Sequence, residues 1–288
     1  MGVALVTGSS TGIGLATAVA LARAGHQVIA TMRNPSRAPE LASTAAKEKL
    51  PIRVVPMDVD DDRSVSNTFG ELLSGGGRID ILVNNAGIAL LGPTEELPLA
   101  EFRRAMETNY FGVLRCVKAV LPGMRERRSG HIINVSSISG RITVPSEGPY
   151  NASKFALEAF SEGLAAEVMA LGIKVSILEP GTIATPIFDK LRAAPANAGY
   201  PHERRLLAIF KAGMPAASTT AMVGDKVVEI LNAKQWKLRH TVGFDADALL
   251  QFRASKTDEE WAKMLGTESD QEFAAILKRE IGMEIDLS

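Results

Sequence analysis

Short, almost continuously apolar runs alternate with longer stretches of helical spacing through most of this chain, and that alternation restricts the fold more than any other feature. The apolar runs fall at residues 3–7, 27–31, 53–57, 79–83, 131–135 and 174–178. Between them, residues 13–23, 41–50, 65–73, 99–127 and 150–171 favour helix. A strand that is apolar on both faces must be covered on both faces, as parallel strands joined by crossover helices are. The expected architecture is α/β: a doubly wound parallel sheet of about seven strands with helices on both faces. With 288 residues, 46% of them hydrophobic and 23% charged, such a sheet has core enough without staples. No repeat or low-complexity linker divides the chain, so residues 1–288 read as a single domain.

Charge and cysteine content exclude several functions. Lys plus Arg number 32 and Asp plus Glu 33, a formal charge of −1. That balance gives no global electrostatic reason to expect nucleic acid as a partner, since phosphate binding relies on clustered positive charge. A single cysteine, Cys116, rules out an intramolecular disulfide framework and a multi-cysteine zinc site. The four histidines, His26, His131, His202 and His240, lack metal-ligand spacing, and no metal is expected. The apolar N-terminus has no basic leading region and is interrupted by Gly8, Gly12 and Gly14. No segment supplies about 18 uninterrupted apolar residues for a membrane span, and a cytoplasmic setting is expected.

Two local patterns carry chemistry. The first is Thr7-Gly8-Ser9-Ser10-Thr11-Gly12-Ile13-Gly14, set between the first strand and the first helix. Glycines let a backbone turn tightly against a pyrophosphate, and a helix N-terminus supplies oriented N–H donors. Where a carboxylate would hold the ribose hydroxyls of NAD, the chain has Ala30-Thr31-Met32-Arg33. A guanidinium without a neighbouring acid accepts a 2′-phosphate, so Arg33 points to NADP(H) over NAD(H). The second pattern is Tyr150-Asn151-Ala152-Ser153-Lys154 at a helix start, which puts Tyr150 and Lys154 on one face. Ser137 stands just after the strand at 131–135, at the carboxyl edge of the sheet where ligands of such folds bind.

With these residues in order, the chain resembles the short-chain dehydrogenase/reductase family, on the NADP-preferring side of its steroid- and retinoid-type branch. The likeness runs through the glycine turn, Asn84-Asn85-Ala86-Gly87, Asn109, Ser137, Tyr150, Lys154 and Pro180-Gly181 with Thr182 and Thr185. It implies a Rossmann-type fold and hydride transfer between a nicotinamide cofactor and a carbonyl or alcohol. By the same resemblance Tyr150 is the general acid/base, Ser137 hydrogen-bonds the substrate oxygen, Lys154 holds the nicotinamide ribose, and Asn109 anchors a proton-relaying water. Cofactor contacts are implied for Gly8, Ser9, Ser10, Gly12, Ile13 and Gly14 at the turn, and for Arg33, Asp58 and Val59 at the adenosine end. Asn85, Ala86, Gly87, Tyr150 and Lys154 fall to the nicotinamide side. Pro180, Gly181, Ile183 and Thr185 would fix the carboxamide and its face, implying pro-S transfer. Thr11 departs from the pattern, since many NADP-preferring relatives carry a basic residue there, and leaves Arg33 to hold the phosphate largely alone. Pairing through the long helices implies a homodimer or homotetramer.

A tyrosine that works near neutrality needs its pKa brought down, and positive charge near Tyr150 has the right sign to do so. Residues 1–180 are read mainly as cofactor binding and catalysis. Residues 182–215, punctuated by Pro186, Pro195, Gly199, Pro201, Gly213 and Pro215, read either as a substrate lid or as an ordinary surface excursion. Residues 257–288 read as two amphipathic helices, each with a capping box, Thr257 with Glu260 and Ser269 with Glu272. Ile88, Ala89, Leu90, Leu91, Val144 and Pro145 suggest an apolar pocket for a hydrophobic small-molecule carbonyl or alcohol. Arg141 and Glu147 border its mouth without an assigned role. His131 reads as a packed or surface histidine and His202 as a solvated loop residue. The competing readings are an NAD-dependent alcohol dehydrogenase, a sugar-nucleotide epimerase, and a non-catalytic dinucleotide-binding sensor or scaffold. A non-catalytic relative would be expected to have lost Tyr150 or Lys154.

Overall fold

The computed structural model describes residues 1–186 and 199–287. Its centre is a parallel sheet of seven strands in the order β3-β2-β1-β4-β5-β6-β7. The strands are β1 (Val3–Thr7), β2 (Gln27–Met32), β3 (Ile52–Pro56), β4 (Ile81–Asn84), β5 (Gly130–Val135), β6 (Ile173–Pro180) and β7 (Arg239–Val242). Register follows the apolar runs: Ala4 lies beside Val28 on one side and Ile81 on the other. The chain adds β2 and β3 to one side of β1, then crosses back to place β4 on the other. That reversal opens a crevice at the carboxyl ends of β1 and β4.

Alternating strand side chains feed two separate cores. Ala4 and Val6 pack with α1 (Gly12–Arg23), α2 (Pro39–Glu48) and α8 (Thr220–Asn232). Leu5 points the other way, toward α3 (Asp62–Leu73), α5 (Gly112–Arg127) and α6 (Gly148–Met169). Every apolar run expected to be a strand is one, with ends moved by two residues or fewer. The seventh strand, β7, has no apolar run to announce it; it is a short, half-buried edge strand beside β6.

Helix ends follow their caps. α3 begins at Asp62 rather than Val65 because the Asp61 carboxylate accepts from Ser64 N at 2.7 Å. The helix expected across 99–127 is α4 (Leu99–Met106) and α5 joined by a π-helical turn, Glu107–Phe111, with Asn109 inside it. Single π turns recur at functional sites because they re-aim side chains. Within 182–215 the prolines predict irregular backbone, yet His202–Gly213 is a helix, α7. Pro201 stands at its N-cap and Pro215 beyond its end, so they frame the helix instead of breaking it. Ile187, Phe188 and Pro195 of that stretch lie outside the described residues.

After β7 come α9 (Ala246–Ala254), α10 (Asp258–Leu265) and α11 (Asp270–Ile281). The Thr257–Glu260 capping box forms in both directions. At α11 only half of the expected box is present: Ser269 caps Glu272 N, while the Glu272 carboxylate accepts from Thr267 instead. Trp261, Leu265, Phe273 and Leu277 of this tail bury against Ile142, forming a third core beside the Ser137–Tyr150 connection. Trp261 also donates its indole N–H to the Thr143 carbonyl at 2.9 Å.

Candidate active site

The glycine turn shapes the middle of the crevice. Gly8 has φ +68°, and a Cβ there would also come within 2.7 Å of Ala86 Cα. A Cβ on Gly14 would collide with the Gly8 carbonyl and the Asn85 amide, so the start of α1 can press against the turn. Thr7 Oγ1 accepts from Asn85 N and Ala86 N, both at 3.0 Å, while Asn85 Nδ2 donates to the Thr7 and Gly8 carbonyls. These bonds lock the ends of β1 and β4 together. Thr11 occupies the N-cap of α1 and makes no side-chain capping bond. The free N–H groups and positive end of α1 are thus left for an anion.

The cleft continues in both directions and has a volume of about 340 Å³. Toward β2 and β3 it is bordered by Met32, Arg33, Asp58, Val59 and Asp60. Arg33 is exposed and makes no ion pair among the described residues. Asp58 Oδ1 accepts from Asp60 N at 3.1 Å, and Asp60 Oδ2 accepts from Thr108 Oγ1 at 2.9 Å. Toward β5 and β6 it is bordered by Ser137, Tyr150, Lys154, Pro180, Gly181, Ile183 and Thr185.

Three elements bring Ser137, Tyr150 and Lys154 together. Ser137 follows β5 and its Oγ accepts from Ser139 N at 3.1 Å, leaving its O–H to hydrogen-bond the Tyr150 phenol. Tyr150 and Lys154 stand one turn apart at the start of α6, with Lys154 Nζ 5.7 Å from the Tyr150 ring centroid. Lys154 is buried, donates to the Val135 carbonyl at 2.9 Å, and is pushed down to about 8 by burial, against the attraction of Glu158. Tyr150 is pushed up to about 12 by burial, with the Ser137 bond opposing and the negative Glu147 adding to the rise. This is the opposite of the lowered tyrosine pKa expected from chemistry: removal of the phenolate from water outweighs Ser137, and Lys154 is directed at a backbone carbonyl.

Three of the expected site residues do not border the cleft. Ser9 is fully buried and turns back to donate to the Val6 carbonyl at 2.8 Å. Gly14 is a packing position. Asn109 accepts from Ile88 N and donates to the Ile88 carbonyl and Ser153 Oγ, each at 2.9 Å. Its amide ties the 86–88 loop to α6, using both Nδ2 hydrogens and one of the two lone pairs of Oδ1. The apolar wall also differs from expectation. Ile88, Ala89 and Leu91 line the cleft, joined by Ile138 and by Phe210 of α7. Val144 and Pro145 instead face a separate small recess with His202, Leu206 and Phe273. Arg141 turns to the buried Glu179 carboxylate at 3.4 Å, and His131 packs beneath the sheet, its Nε2 2.9 Å from Ser176 Oγ.

Asp245 was invisible in the sequence. Its carboxylate accepts from Thr182 N at 3.0 Å and from Thr182 Oγ1 at 2.6 Å, fixing the loop after β6 that carries Gly181 and Ile183. No local pattern links residues so far apart.

Residues 2–196 match the short-chain dehydrogenase family model. The chain is a short-chain dehydrogenase. It is 37% identical over 272 residues to the uncharacterized oxidoreductase YusZ of Bacillus subtilis (strain 168), covering 91% of this chain and 96% of that one. Retinol dehydrogenase 8 of Bos taurus is 44% identical over 202 residues, 68% of this chain and 64% of the relative. Among solved structures, a short-chain dehydrogenase from Streptomyces avermitilis superposes with a TM-score of 0.80 at 35% identity, covering 88% of this chain and 92% of that one. As a member of this family the protein is an oxidoreductase with a nicotinamide dinucleotide cofactor. Among its described residues, no helix is long and apolar enough to cross a membrane.

Proposed function

We propose that this short-chain dehydrogenase interconverts a ketone or aldehyde and the corresponding alcohol on a predominantly apolar small molecule, with NADP(H) as cofactor. The observation that carries the reading is the convergence of the Ser137 hydroxyl, the Tyr150 phenol and the Lys154 ammonium at one end of a cleft whose middle is the α1 N-terminus and whose other end holds Arg33.

The residues present fit a dinucleotide. The turn at Gly8, Ser10, Gly12 and Ile13 supplies a backbone cradle that side chains would fill, and Arg33 offers an unpaired guanidinium for a 2′-phosphate. Asp58 and Val59 border the adenine end, and Asn85, Ala86, Gly87, Pro180, Gly181, Ile183 and Thr185 the nicotinamide end. Ser9 and Gly14 shape the turn from behind. When bound, the reduced cofactor supplies the hydride.

Tyr150 gives its proton to the carbonyl oxygen in reduction and removes it from the alcohol in oxidation. Ser137 donates a hydrogen bond to the same oxygen and keeps it beside the phenol. Lys154 places a positive charge next to the Tyr150 ring and holds the ribose hydroxyls. Burial, which pushes the phenol up to about 12, keeps Tyr150 protonated at neutral pH and able to donate. Asn109 acts one layer back, on the position of Ile88. Within the stretch read as a substrate lid, α7 contributes Phe210 to the apolar wall. The resemblance to retinol dehydrogenase 8 supports an apolar substrate.

Self-association through the long helices is part of this reading. Phe111, in the π turn, and Phe155, on α6, are 44% and 40% exposed, an apolar surface of the kind that pairing covers. A homodimer or homotetramer follows, and a monomer mass from light scattering at micromolar concentration would overturn it. The single cysteine, Cys116, is a buried free thiol, and a chain with no disulfide framework fits a reducing, cytoplasmic setting.

Consumption of NADPH against a panel of apolar ketones and aldehydes, with Tyr150→Phe beside the wild type, tests the activity. Turnover that disappears in Tyr150→Phe is the expected result. Turnover that survives the substitution would remove Tyr150 from its role.

A further inference from the structure

The substrate end of the cleft holds one carboxyl group that the catalytic scheme does not use. Glu147 immediately precedes α6, whose first turn carries Tyr150, and it borders the cleft together with Ser137, Ser139 and Tyr150. The residue is only 5% exposed. Oε2 accepts from Ser139 Oγ at 3.3 Å and Asn151 Nδ2 at 3.4 Å, both long bonds. Oε1 accepts no hydrogen bond from the described residues, and it is not among their sealed, unpartnered side-chain atoms.

Among the described residues no cation compensates this group. Arg141, the nearest basic residue in the chain, is turned to Glu179, and Lys154 is held by the Val135 carbonyl. Burial accordingly pushes Glu147 up to about 7, with the Ser139 and Asn151 bonds opposing. A carboxyl group held this deep without a counter-charge costs stability, and a glutamine or an apolar residue would fill the same space at less cost. Among the described residues Ile88, Leu91, Ile138 and Phe210 also line the cleft, and their side chains offer a substrate no acceptor.

Building on the carbonyl-reducing function proposed above, we infer that Glu147 recognises a hydrogen-bond donor, a hydroxyl or an ammonium, that the substrate carries within a bond or two of its reacting carbonyl. The substrate is then amphipathic. Its carbonyl oxygen lies between Ser137 and Tyr150, its donor meets Glu147 Oε1, and its hydrocarbon part runs along Ile88, Leu91 and Phe210.

The test uses three matched ketones: a medium-chain 2-alkanone, its 1-hydroxy derivative and its 1-ammonium derivative. kcat/KM is measured for each with wild type, Glu147→Gln and Glu147→Leu. Wild type should favour at least one derivative over the plain ketone by about tenfold or more, and Glu147→Leu should bring that ratio to about one. Glu147→Gln has the same shape and separates the two donors. Its amide oxygen still accepts from a hydroxyl, so a hydroxyl preference persists, whereas an ammonium preference collapses with the lost charge. Wild-type ratios near one for both derivatives, or a preference unchanged in Glu147→Leu, would overturn the role of Glu147 while leaving the carbonyl chemistry standing. Absence of turnover with all three ketones would overturn both.

Discussion

Lys154 donates from its ammonium to the main-chain carbonyl of Val135 at 2.9 Å, and so pins the first turns of α6 to the end of β5, two residues before Ser137. One buried hydrogen bond thereby sets the spacing between the strand that carries the serine and the helix that carries the tyrosine. The lysine is a structural tie as well as a charge.

Lys154→Met removes both functions. The expected outcome is a fall in kcat/KM of at least about 100-fold together with weaker dinucleotide binding. Fluorescence titration of NADPH against wild type and variant checks the binding half. Binding unchanged to within twofold would mean that Lys154 does not reach the cofactor.

Arg33→Asp should reverse the cofactor preference. A charge-assisted bond to a phosphate contributes about 1.5–3 kcal/mol, so the NADPH-to-NADH ratio of kcat/KM should fall by about 10- to 100-fold. The measurement is a pair of saturation curves per variant, and a ratio that stays put would assign the preference to another group.

Arg205 of α7 is 1% exposed and joins the stretch beside the cleft to the tail. It donates to Asp270 Oδ1 at 2.8 Å and to the carbonyls of Thr267 and Glu268, and lies over the Phe273 ring at 4.9 Å. Arg205→Ala leaves several of these partners unsatisfied and should cost about 2–4 kcal/mol. Urea unfolding would show the loss. A change below about 0.5 kcal/mol would mean that α7 does not depend on the tail.

His131 predicts a limb in the pH dependence of stability. Burial pushes it down to about 4, with the positive Lys174 and His240 adding to the effect, whereas an unfolded histidine titrates near 6.5. Between those values the unfolded chain binds more protons, so stability falls as pH drops from about 6.5 toward 4, by up to about 3 kcal/mol. In His131→Gln that limb should flatten, which urea titrations at pH 7 and pH 4.5 would reveal. An equal loss in wild type and variant would assign the limb to other groups.

Much of the site is legible in the sequence because its signals are local. Strand runs are contiguous, the glycine turn is a strand-to-helix junction, and Tyr150 and Lys154 are one helical turn apart. Arg33 stands at the end of a strand whose position the apolar pattern already marks. Where the sequence misleads, a neighbour distant along the chain is responsible. Val144 and Pro145 read as pocket residues from their place between Ser137 and Tyr150, yet α7 and the tail claim them for a different recess. The prolines around α7 read as breakers because their flanking positions become clear only when the helix packs.

The sequence by itself determined the parallel α/β sheet and the glycine turn between its first strand and first helix, since periodicity and short spacing are properties of adjacent residues; Ser137, Tyr150 and Lys154 were singled out by the family resemblance. Only the tertiary structure decided that Thr7 clasps Asn85 and Ala86, that Asp245 holds Thr182, and that Glu147 borders the cleft. Those contacts join residues from separate elements, and a hydrogen bond between distant residues leaves no periodic trace in the chain that makes it.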